Sequence, residues 1–318
     1  MDSSFSPASP IADAIRFPAA DGVVLGAWHW ASAQPQGAVL ICPATGVAAR
    51  YYQRYGTWLA SRGYAVLALD YRGIGLSRPD RLARFRATKF DWGNLDCEAA
   101  LAELLARHPG LPLYGVGHSI GGFAIGLAPS AAKLQRLFLV GSQYAYWRDY
   151  APQVRWPYFF KWHLFMPVAA AVLGYFPGRR LGWLEDLPAG VALEWGMRYH
   201  PDFHRLYSWL PHAVAPAGPA ELEKRLHGFS GDLLAFAMTD DPYATAAATG
   251  RLLAHYSGSR RLIVRLAPEA VPEGNVGHFG FFHERFSTSL WPGSLQWLEE
   301  GASPWRTQAV DPAAEADG

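Results

Sequence analysis

From residue 38 onward the hydrophobic positions fall into two alternating rhythms. Short uncharged runs at Ala38 to Cys42, Tyr64 to Leu69, Leu111 to Val116 and Leu137 to Val140 have the length and continuity of strands covered on both faces. Between them the spacing changes to that of a helix. Tyr51, Tyr52, Tyr55, Trp58 and Leu59 share one face ahead of Gly63, and Leu95, Ala99, Leu101, Leu104 and Leu105 share another ahead of Pro109-Gly110. Alternation of this kind over residues 38–141 predicts βαβ units, a parallel sheet and right-handed crossovers on both faces. Upstream, Ala14 to Phe17 and Val23 to Trp30 bracket the turn dipeptide Asp21-Gly22, so a hairpin opens the fold.

The rhythm breaks at Gly141. Residues 143–227 show no clear strand, yet they hold Trp147, Trp156, Trp162, Trp183, Trp195 and Trp209, six of the thirteen tryptophans. That density excludes a flexible linker and predicts a packed, mostly helical insertion. Its uncharged stretch, Leu164 to Phe176, is too short to cross a bilayer and reads as the apolar face of a cap helix, with membrane-surface contact as the alternative. The alternation resumes with Asp232 to Met238, a helix over Ala244 to His255, a last strand at Arg261 to Leu266, and a loop from Ala267 to Gly280. Pro292 opens a final helix that stops at Gly301. No internal repeat is present. The expected organisation is a core over 1–142 and 228–301, a cap over 143–227, and a loose tail over 302–318.

Candidate chemistry sits where one strand meets one helix. The run ending at Val116 passes directly into Gly117-His118-Ser119-Ile120-Gly121, which fits G-x-S-x-G, and then into small-residue helical sequence from Gly122 to Ala128. Strand, sharp turn and helix are the context in which this pattern presents a serine nucleophile. Glycine-sized neighbours let strand and helix approach closely around a strained serine.

A serine hydroxyl needs a base, and the base needs an orienting carboxylate. Of the eleven histidines, His118 adjoins Ser119 and cannot fold back onto it, and most others lie in the insertion or in helices. Beyond the last strand only His278 and His283 remain, and His278 lies in a glycine-flanked loop. Asp240 and Asp241 follow the strand that resumes after the insertion, at the same edge of the sheet. The order Ser119, Asp241, His278 is that of an elbow-type hydrolase, with Asp240 as the alternative acid.

Taken together, Ala44-Thr45-Gly46, Asp70 to Ser77, Gly117 to Gly122, Thr239-Asp240-Asp241-Pro242 and Gly277-His278-Phe279-Gly280 resemble the α/β-hydrolase superfamily over Ile15 to Glu300. Within it they are similar to the serine aminopeptidase and monoacylglycerol-lipase-like group. The resemblance implies an α/β fold with an eight-stranded, mostly parallel sheet, helices on both faces, and a helical cap after the sixth strand. It also implies Ser119 as nucleophile, His278 as base and Asp241 as acid. Many relatives have His-Gly where this chain has Pro43-Ala44. An oxyanion hole needs only backbone N–H groups, so Thr45 and Ile120 remain the expected donors. For Asp70 and Arg72 the resemblance implies a structural turn held by an internal ion pair.

Composition narrows the function. A formal net charge of +1 without clustered Lys and Arg excludes a nucleic-acid surface. Two cysteines, Cys42 and Cys97, form no disulfide framework and suit a reducing, cytoplasmic setting as buried thiols. Met1 to Pro10 lacks the basic and apolar regions of a secretory signal. No phosphate loop and no His/Cys spacing for a metal is present, so no cofactor is expected. The expectation is a serine esterase acting on a small, apolar ester through an acyl-enzyme. The alternatives are acyl transfer at the same serine, a non-catalytic ligand-binding member of the fold, and a structural partner protein.

Overall fold

The computed structural model describes residues 10–197, 200–202 and 218–309. Its strands are β1 (Ala12–Pro18), β2 (Val24–Trp30), β3 (Gly37–Cys42), β4 (Tyr64–Asp70), β5 (Leu113–His118), β6 (Arg136–Val140), β7 (Tyr175–Phe176), β8 (Leu187–Pro188), β9 (Asp232–Met238), β10 (Arg261–Leu266) and β11 (Gln308–Ala309). Nine of them make one sheet in the order β1-β2-β4-β3-β5-β6-β9-β10-β11, parallel from β4 through β10. The first two strands form the expected hairpin, and β2 lies antiparallel on β4.

Every residue of β3, β4 and β5 is buried, as their unbroken apolar sequences require. Alternate residues serve opposite faces. Ala38, Leu40 and Cys42 join a core with Trp92, Leu101 and Phe123, whereas Val39 and Ile41 join one with Tyr55, Trp291 and Trp297. The helices that supply those side chains are the π-helical turn Trp92–Cys97, Glu98–Arg107 and Gly121–Leu127 on one face, and Gln53–Ala60 and Trp291–Glu300 on the other.

Two sequence expectations change here. The sheet has a ninth strand because Gln308–Ala309 pairs with β10, and Trp305 stacks on Phe138 and packs against Phe236, so the start of the expected loose tail is docked. Residues 310–318, like Met1 to Ser9, lie outside the described residues. In addition, the insertion contains β7 and β8, a two-residue antiparallel pair.

Between β6 and β9 the described chain is mainly helical: Pro152–Tyr158, a π-helical turn over Phe159–Phe165, Met166–Leu173, Ala189–Gly196 and Gly218–Gly228. Trp209 and the rest of 203–217 lie outside the described residues. The apolar stretch is two-faced. Met166, Ala170 and Phe176 are buried, while Leu164, Phe165, Val168 and Val172 are exposed. No helix among the described residues is long and apolar enough to cross a membrane.

Candidate active site

β5 ends at His118, and Ser119 turns the chain into the Gly121–Leu127 helix with φ of +54°. That left-handed conformation is costly for serine, and its N–H donation to the Val140 carbonyl at 3.0 Å ties the turn to β6. The flanking glycines are needed for contact. A Cβ on Gly117 would come within 2.6 Å of the Gly122 nitrogen, and one on Gly121 would overlap the Cys42 carbonyl of β3. Helix and strand therefore meet at backbone distance beneath the serine.

The carboxylate comes from the turn after β9. Asp241 Oδ1 accepts the N–H groups of Tyr243 at 2.8 Å and Ala244 at 3.1 Å, leaving Oδ2 to accept from His278 Nδ1 at 2.7 Å. Both side chains are buried. Burial works against charge on Asp241, but His278 and the two N–H groups outweigh it and hold the carboxyl below its ordinary value. An ionised carboxylate only accepts, so His278 carries its proton on Nδ1 and offers Nε2 as the basic nitrogen. Ser119 and His278 line one cavity. Among the described residues no hydrogen bond joins Ser119 Oγ to the imidazole, a looseness common before substrate binds.

Asp240 has a different task. Its carboxylate accepts from Val276 and Gly277 N–H groups at 3.0 Å, pinning the loop that carries His278. Gly141 (φ +56°) lies under the pair, where a Cβ would stand 3.0 Å from Asp241 Oδ2 and 3.2 Å from His278 Nδ1. In the sequence Gly141 marked only the end of the alternating pattern.

The loop after β3 supplies the other wall. Ala44 N–H donates to the Tyr52 hydroxyl at 2.9 Å, which faces His118 Nδ1 at 2.8 Å, while His118 Nε2 faces the His278 carbonyl at 2.9 Å. The carbonyl can only accept, so His118 donates from Nε2 and accepts from Tyr52 at Nδ1. One buried chain of hydrogen bonds thus joins the Thr45 loop to the backbone of His278. Among the described residues, the N–H groups of Thr45 and Ile120 take part in no backbone hydrogen bond. Replacing Tyr52 by Phe strands the Ala44 N–H and loosens this wall. The expected result is a fall in kcat of about tenfold, the kinetic equivalent of about 1.4 kcal/mol, with KM little changed. Unaltered kcat in steady-state assays would show that the loop is held without Tyr52.

Burial, reinforced by His278, pushes the His118 imidazole down to about 3. Unfolded, the same ring titrates near ~6.5. The unfolded chain therefore binds more protons between these limits, so this contribution to stability is complete above pH ~6.5 and is lost as pH falls toward 3. Burial of His29, whose imidazole is pushed down to about 4, acts in the same direction. Asp70, pushed up to about 6 by burial, opposes them. Replacement of His118 by Gln should flatten the decline of the unfolding midpoint between pH 6.5 and 4. An unchanged slope would place the acid-sensitive proton on another group.

The cavity has a volume of about 140 Å³ and is walled by Thr45, Ser119, His278 and, from the insertion between β6 and β9, Trp162, Trp183 and Trp195, among others. Residues 33–180 match the family model of the group described as Serine aminopeptidase, S33. A soluble variant of monoglyceride lipase from Saccharomyces cerevisiae, solved with a substrate analog, is similar at 16% identity and a TM-score of 0.61, over 94% of this chain and 97% of that one. An esterase from Pyrococcus furiosus gives 13% identity and 0.56 over 91% and 92% of the two chains. An acylaminoacyl peptidase from Pyrococcus horikoshii gives 11% and 0.57 over 98% and 44%. Among curated proteins none matches by sequence. The chain has the α/β-hydrolase fold.

Other polar residues of this α/β-hydrolase fold hold the scaffold. Asp70 and Arg72 do not pair with each other. Asp70 accepts from the N–H groups of Ala49 at 2.7 Å and Leu76 at 2.9 Å, and Arg72 bridges Asp96 at 2.7 Å and Asp21 at 2.6 Å. Asp149 pairs with Arg251, Asp186 with Arg78, and His283 faces the Tyr51 hydroxyl. Cys42 and Cys97 are buried free thiols 3.5 Å apart. The fold also gathers a group with metal-ligand chemistry that the sequence spacing did not show: Glu223, His227 and His255 bring one ligand atom each within 4.8 Å of one another. None of the three lines the Ser119 cavity.

Proposed function

We propose that this α/β-hydrolase cleaves a carboxylic ester through an acyl-enzyme. The observation that carries the reading is the strained Ser119 elbow opening on the same cavity as the Asp241–His278 pair. Ser119 Oγ attacks the carbonyl carbon while His278 Nε2 takes its proton. Negative charge grows on the carbonyl oxygen and is met by the N–H groups of Ile120 and Thr45. His278 then protonates the departing alcohol, and the acyl group stays on Ser119. Water, deprotonated by His278, repeats the attack and releases the acid.

The walls favour an apolar, compact group. Trp162, Trp183, Leu184, Trp195 and Phe279 line a space similar to the roughly 150 Å³ that holds a benzene ring elsewhere. The exposed face of Leu164, Phe165, Val168 and Val172 suits contact of the cap with a lipid surface. The fold likeness to monoglyceride lipase and an esterase is consistent with an ester substrate. The test is labelling by a fluorophosphonate probe together with a series of p-nitrophenyl esters of increasing chain length. Short acyl chains are expected to turn over best. Absence of both labelling and turnover would end the esterase reading.

A further inference from the structure

The cavity around Ser119 is lined mainly by apolar and aromatic side chains, with Thr45, Gln143, Tyr243 and the Ser119 and His278 side chains as polar neighbours and a lysine besides. Lys161, from the π-helical turn of the cap, lines it, and its ammonium group lies 3.8 Å from the ring centroid of Trp183 and 4.4 Å from that of Trp162. No Asp or Glu is among the lining residues, and Lys161 joins no ion pair among the described residues. The cap sequence 203–217 contains no carboxylate either. Three other lining residues have buried polar atoms without a partner, Oε1 of Gln143 and the indole nitrogens of Trp162 and Trp195. Partial burial presses the Lys161 amine downward, a cost that the two indole faces partly offset.

A cation on indole faces still has N–H donors to give, because the rings meet its charge and not its hydrogen-bonding capacity. At the partly buried wall of a small cavity, such a group attracts an anion more strongly than it would in open water. A lysine serving only to fasten the cap would more commonly lie with its head group in solvent. We propose that Lys161 selects an ester whose short acyl or alcohol portion ends in a carboxylate, as in the half-ester of a small dicarboxylic acid. One cation and about 140 Å³ suit a monoanion; phosphate recognition ordinarily uses several donors from arginine or a helix terminus. The inference rests on the esterase reading and names its substrate class.

Its test compares two p-nitrophenyl esters of matched length, the hemisuccinate and the neutral pentanoate. The hemisuccinate is expected to have the higher kcat/KM, by about tenfold or more at low ionic strength, with salt eroding the difference. Lys161→Met should bring the ratio toward one, and Lys161→Glu should turn it in favour of the neutral ester. A structural lysine would lower both rates together and leave the ratio alone. Binding is read separately in Ser119→Ala, where succinate monomethyl ester should quench tryptophan fluorescence and Lys161→Met should abolish the quench. Turnover of pentanoate without a hemisuccinate advantage, or a quench indifferent to Lys161, overturns this inference and leaves the esterase reading standing. Failure of both esters and of the fluorophosphonate probe sinks the esterase reading, and the quench then still decides whether the cavity takes a carboxylate.

Discussion

Ser119→Ala is expected to remove ester hydrolysis and probe labelling, with kcat lower by about ten-thousandfold or more. The argument separates chemistry from folding. The hydroxyl makes no hydrogen bond among the described residues, whereas the Ser119 backbone is tied to Val140, so losing Oγ leaves the turn intact. Alanine keeps a β-carbon at φ +54° and therefore keeps the strain. Glycine relieves it. Ser119→Gly should consequently be just as inactive but more stable, by about 1 kcal/mol. Thermal unfolding of the three proteins beside their labelling checks both halves. Retained labelling in the alanine variant would overturn the nucleophile, and a glycine variant no more stable than alanine would deny that the elbow is strained.

Sequence alone was most informative where one local rule governed. β9 carries the boundaries that its apolar run predicted, because a strand buried on both faces tolerates almost no polar residue, and the half-buried β10 ends where the pattern breaks at Ala267. The elbow was legible because Gly117 answers to the Gly122 backbone a few residues on, whereas the need for Gly121 comes from Cys42 on β3. Features that depend on distant partners were not. Tyr52 looked like one more aromatic on a helix face, and only the fold sets it against His118, 66 positions away. The choice between Asp240 and Asp241 likewise waited on where the Val276-Gly277 backbone would lie. The ion pair expected at the Asp70 to Ser77 turn also has distant partners, since Arg72 meets Asp21 and Asp96. Between β6 and β9, Lys161 belongs to no motif and stands three residues ahead of the uncharged stretch, so only the fold shows that it lines the cavity. The π-helical turns over Trp92–Cys97 and Phe159–Phe165 also escaped a reading based on the period of an α-helix.

Asp241→Asn should be nearly as damaging as loss of the serine, with kcat reduced by about a thousandfold to ten-thousandfold. The reason lies in which way the new amide must point. At the Oδ1 position two backbone N–H groups, of Tyr243 and Ala244, require an acceptor, so the amide oxygen settles there. The NH₂ group then occupies the Oδ2 position and faces His278 Nδ1. Two donors cannot share that contact. The ring must give up its Nδ1 proton and carry it on Nε2, where it can no longer accept a proton from Ser119. Asp240→Asn meets a milder fate. Its side chain keeps one carbonyl oxygen for Val276 or Gly277 and loses only the second acceptor, loosening the loop under His278. A loss of about tenfold is expected, near 1.4 kcal/mol. Steady-state kinetics on the two variants, with folding checked by circular dichroism, separate the roles. Equal losses would mean that Asp241 acts through the loop and not through the imidazole. A larger loss at Asp240 would move the orienting acid by one residue.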